Sequence, residues 1–125
     1  MNQFPEIDHF HELLNKIAEE IPEDFFKDLN GGIILLEQAK KHNRAKRGQP
    51  LYIMGQYRRD VLGRQIIIYY GSFKRVHKNV SEAKLYQEIK DTLIHEFTHH
   101  LESLAGERGL EKKDEQRMRE YLQRK

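Results

Sequence analysis

Within five consecutive positions the chain carries His95, Glu96 and His99 in the order H-E-x-x-H. On a helix, four residues advance only ~40° beyond a full turn, so the two imidazoles lie on one side, a turn apart, and can meet a single ion. Neutral imidazole suits tetrahedral Zn²⁺, and a catalytic zinc needs a third ligand with one position left for water. Glu96 flanks the pair, near enough to take a proton from that water. By residue frequencies the pattern arises by chance in about one chain of this length in a few hundred.

The helix that must present these residues can be read around them. Leu85, Ile89, Leu93, Phe97, Leu101 and Leu104 fall in an arc of roughly 160°. His95, His99 and Glu102 fall on the opposite side, within ~60° of one another. Ser81 suits an N-cap, Glu82 places a negative charge in the first turn, and the helix is expected to end near Ala105 with Gly106 at its C-terminal end. His100 points to the border of the apolar arc and reads as a buried, supporting histidine. His9, His11, His42 and His77 lie elsewhere and read as solvated or packed. The third ligand is an open choice on spacing alone. Glu102 shares the histidine face, and Glu107, Glu111, Asp114 and Glu115 follow the helix.

The remaining elements follow from periodicity. Ile7, Phe10, Leu13, Leu14, Ile17 and Ala18 define an amphipathic helix over residues 6–20, closed before Pro22. A short second helix is expected from Pro22 to Leu29, and Ile33–Leu36 reads as a buried strand. Lys40–Pro50 is polar and basic, hence a loop, and its charge run reads as solvated. Leu51–Arg58 and Gln65–Phe73 read as an antiparallel hairpin around a turn with Asp60 and Gly63, its tyrosines packed in the strands. A final helix is expected over residues 112–122. The sum is an α+β fold in one domain, residues 1–125, with four helices, the third of them long and bearing the H-E-x-x-H residues.

Composition removes several alternatives. Lys plus Arg is 22 and Asp plus Glu is 20, a balance that gives no electrostatic reason to expect nucleic acid or a membrane surface. There is no cysteine, so disulfides, thiolate zinc sites and a cysteine nucleophile are excluded. The opening Met1–Glu6 lacks the basic and apolar regions of a secretory signal, and no window approaches the ~20 apolar residues of a membrane span. The expectation is a cytoplasmic protein.

The sequence resembles the small single-domain zincins of bacteria, the mini-zincin metallopeptidases. The likeness runs through Phe10–Leu14, Ile21–Phe25, Ile33–Leu36 and Gln65–Gly71, and ends in Thr92-Leu93-Ile94-His95-Glu96-Phe97-Thr98-His99-His100. The resemblance implies a three-stranded sheet packed on helices, with zinc on the H-E-x-x-H helix. Many relatives continue H-E-x-x-H-x-x-G-x-x-D, whereas this chain has Glu102 and Ala105 at those places. The longer connection before Asp114 therefore carries the third-ligand role to Asp114, with Glu102 and Glu115 as rivals. The expected activity is hydrolysis of an extended peptide by a zinc-activated water with Glu96 as general base; the competing reading is a zinc-bound binding or regulatory module without turnover.

Overall fold

A computed structural model describes residues 3–42 and 51–108. The first helix, α1 (Ile7–Glu20), buries Phe10, Leu13, Leu14 and Ile17, the three- and four-residue spacing that gives a helix one apolar stripe. It stops where Ile21 turns extended ahead of Pro22. The expected second helix is a single 3-10 turn, Glu23–Phe26. Asp28 takes a positive φ of 63° just after it, which breaks the helical path and turns the chain into the sheet.

The strands are β1 (Gly32–Leu36), β2 (Lys40–Lys41), β3 (Tyr52–Ile53), β4 (Gly55–Asp60) and β5 (Gly63–Tyr69). A three-stranded mixed sheet has the order β1-β5-β4, with β1 parallel and β4 antiparallel to the central β5. Ile66, Ile67 and Ile68 of β5 are all buried, as a central strand covered on both faces requires. The hairpin turn joins Asp60 to Gly63, and the Asp60 carboxylate accepts from Leu62 N–H at 2.8 Å.

Three boundaries differ from the sequence expectation. Lys40–Lys41, expected in a loop, pair with Tyr52–Ile53. The expected strand Leu51–Arg58 divides at Met54, whose carbonyl accepts from Tyr69 N–H at 3.0 Å. The expected strand Gln65–Phe73 ends at Tyr69, and α2 (Tyr70–Val76) follows. The cause is the crossing of residues 37–39 over the end of β5. Gly71 N–H donates to Gln38 O, and a Cβ at Gly71 would stand 2.5 Å from Ala39 N, so the strand has no room to continue. Helical turning also brings Phe73 onto Phe10, with ring centroids 5.3 Å apart.

The long helix α3 (Glu82–Arg108) begins as expected, with Ser81 Oγ accepting from Lys84 N–H at 3.1 Å. It passes through Gly106 instead of ending there. Leu85, Ile89, Leu93, Phe97, Leu101 and Leu104 are all buried against α1 and the sheet. There are three α-helices among the described residues, not four; the helix expected over 112–122 lies outside them. No described helix is long and apolar enough to cross a membrane.

Candidate metal centre

Because α3 buries one face, it turns the other outward, and there His95 and His99 are exposed. Their Nε2 atoms stand 3.2 Å apart, with the rings 88° to each other. Two nitrogens on a tetrahedral zinc, each at ~2.0–2.1 Å, are separated by about 3.3 Å. The pair therefore already has the spacing of one edge of a zinc tetrahedron. Glu102 Oε1 lies 3.4 Å from His99 Nδ1, the ring atom away from His95. A carboxylate on that side of the ring favours the tautomer with its proton on Nδ1, which leaves Nε2 to face a metal.

Glu96, next to His95 on the helix, is only 5% exposed. Burial raises its pKa above the usual carboxylate range, against the opposing pull of the nearby His99 and of a hydrogen bond from Tyr57 N–H. A raised pKa is the direction that suits a general base, since it must accept a proton and return it. The carboxylate is reached from β4. A Cβ added to Gly55 would stand 2.7 Å from Thr92 Cγ2 and 3.3 Å from Glu96 Oε2. Only glycine lets the strand backbone come this close to the helix.

His100 is fully buried and engaged at both nitrogens. Nε2 meets Lys27 O at 2.7 Å and Nδ1 meets Tyr57 Oη at 2.9 Å. The Lys27 carbonyl only accepts, so Nε2 carries the proton and the Tyr57 hydroxyl donates to Nδ1. Burial lowers the His100 pKa, which fits a neutral ring acting as a strut and not as a ligand.

Of the residues singled out from sequence, His95, Glu96 and His99 are thus brought together on α3. Glu102 is placed behind His99 and away from the paired Nε2 atoms. Asp114 and Glu115, like Glu111, lie outside the described residues, as does the side chain of Glu107. Among the described residues no third His, Asp or Glu joins the pair to form a metal-binding group. Gly55 and Tyr57 carry no mark in the sequence that singles them out. The available signal is a glycine two residues before a tyrosine on a strand, which puts both on one face, but nothing local identifies what that face meets. A cleft of about 930 Å³ lies elsewhere, lined by Gln38, Tyr52, Lys74, Arg75 and Lys78 among others, and contains none of the motif residues.

Comparison with known proteins adds independent findings. The family model of the zincin-like metallopeptidases matches residues 37–121. A solved structure, a conserved hypothetical protein from T. thermophilus, is 34% identical with a TM-score of 0.69, over 81% of this chain and 98% of that one. No curated protein matches the chain.

Proposed function

The chain belongs to the zincin-like metallopeptidases, and from that premise we propose that it hydrolyses peptide bonds in extended polypeptides, with zinc on His95 and His99 and Glu96 as general base. The observation that carries this reading is the 3.2 Å separation of the two Nε2 atoms, one residue from a buried carboxylate whose pKa is raised. Zinc held there would supply Lewis-acid polarisation of the scissile carbonyl and a water of pKa near ~7. Glu96 would accept a proton from the attacking water and pass it to the departing amine. Asp114 is assigned as the third ligand, with Glu115 as its rival; the position of Glu102 beside His99 Nδ1 favours an orienting role for it.

The sheet supports an extended substrate. Among the described residues, no strand pairs with the outer edge of β4. Because Met54 O bonds Tyr69 N–H, alternation along β4 turns the peptide groups of Gly55 and Tyr57 to that outer edge, where the Tyr57 N–H already donates to the Glu96 carboxylate. A polypeptide added there lies alongside Glu96.

The test is hydrolysis of an unstructured protein such as casein by the zinc-loaded chain and its Glu96→Gln variant. Loss of ~10²–10⁴-fold in rate with zinc content unchanged is expected. Equal rates in the two proteins would exclude Glu96 as the base, and zinc bound without any turnover would support the regulatory-module reading.

A further inference from the structure

The edge strand and the motif helix are fastened together through Tyr57. Its N–H donates to the Glu96 carboxylate, and its hydroxyl donates to His100 Nδ1 at 2.9 Å. Glu96 and His100 stand one turn apart on α3, so a single strand residue grips the helix at two successive levels. His100 extends the grip to Lys27 O at 2.7 Å, beside the positive-φ residue Asp28. Two residues earlier on β4, Gly55 sets the closest approach: a Cβ there would press on Thr92 and Glu96. One contact therefore limits how near the strand comes, and the other limits how far it can move away.

Resting on the peptidase reading above, we infer that Tyr57 is a positioning residue whose side chain fixes the outer edge of β4 relative to Glu96 and the paired histidines, and so governs how an extended polypeptide meets the metal centre. The Tyr57 hydroxyl is bonded to His100, the buried histidine outside the paired Nε2 atoms. Its effect must therefore separate from metal binding. A polypeptide that engages both the edge and the ion depends on Tyr57, whereas a small ligand of the ion alone does not.

Tyr57→Phe removes only the hydroxyl and keeps the N–H, the ring and the strand. The experiment measures zinc per chain and the affinity of the zinc-loaded protein for two probes, acetohydroxamate and a tripeptide hydroxamate. The expected result is unchanged zinc, unchanged acetohydroxamate affinity, and tripeptide hydroxamate binding weakened ~10-fold. His100→Gln, whose amide can both accept from Tyr57 and donate to Lys27 O, should retain most of the tripeptide affinity. His100→Leu should behave like Tyr57→Phe. A role in stability alone would move both probes together or neither, and either pattern in Tyr57→Phe would overturn the inference while leaving the peptidase reading intact. A wild-type chain that takes up no zinc would overturn both.

Discussion

The two faces of α3 are built on opposite terms. Toward α1 and the sheet it presents Leu85, Ile89, Leu93, Phe97, Leu101 and Leu104, each no more than 7% exposed. Away from them it presents His95 and His99, the latter with half its side chain in water. The first face holds the fold by many interchangeable dispersion contacts, and its loss is felt wherever the side chain is removed. The second contributes little to folding, and its value lies in where two nitrogens stand. Glu96 and His100 lie on the border, buried like the first face and polar like the second. There the chain carries a cost in stability, offset by the hydrogen bonds that β4 and Lys27 supply.

That contrast can be broken most sharply with one substitution on each face. Phe97→Ala should cost ~3–5 kcal/mol of unfolding free energy, because a fully buried ring packed at 4.9 Å from Phe26 leaves a cavity. His99→Ala should change the zinc-free stability by less than ~0.5 kcal/mol while abolishing metal uptake. Denaturant unfolding of the two zinc-free variants checks the pair. A comparable loss of stability in His99→Ala would contradict the separation of faces.

The border should respond in between. Gly55→Ala places a methyl 2.7 Å from Thr92 Cγ2 with Glu96 behind it, and overpacking of this kind costs ~1–3 kcal/mol. It should also displace the strand from Glu96, so hydrolysis falls more than stability does. The control is Thr92→Ser with Gly55→Ala, which removes the clashing Cγ2 and should recover part of the stability.

The smallest effect is a pH dependence. His100 is held neutral by burial, reinforced by the Arg64 charge and opposed by the Lys27 carbonyl and Asp28, so its folded pKa lies below the unfolded value of about 6.5. Its contribution to stability is complete above pH ~6.5 and is lost as pH falls below it. Glu96 works in the opposite sense: its raised folded pKa makes folding less favourable as pH rises above about 4.5. Zinc-free wild type should therefore lose stability on acidification below pH ~6.5 more steeply than His100→Gln. Identical slopes would remove His100 from the account.

What is legible in the sequence is local. The apolar arc of α3, its Ser81 cap and the H-E-x-x-H spacing are all properties of residues within a few turns of one another, where helical periodicity is enough. The central sheet is visible in its hydrophobic runs, and the hairpin turn in Asp60 and Gly63. What escapes are pairings across long separations. Tyr57 meets His100 43 positions away and His100 meets Lys27 73 positions away, so no local pattern marks Tyr57 apart from any other strand tyrosine. The conversion of Tyr70–Phe73 from expected strand to helix likewise depends on a crossing segment, residues 37–39, whose position over β5 no local pattern reveals.

The central claim is that His95 and His99 hold one zinc at the exposed face of α3. Zinc per chain, measured by elemental analysis after purification without added metal or a histidine tag, tests it most directly when wild type is run beside His95→Ala and His99→Ala. The account predicts one zinc in wild type and essentially none in either variant, with all three proteins folded. Zinc retained by the variants, or absent from wild type even after zinc is supplied, would contradict it.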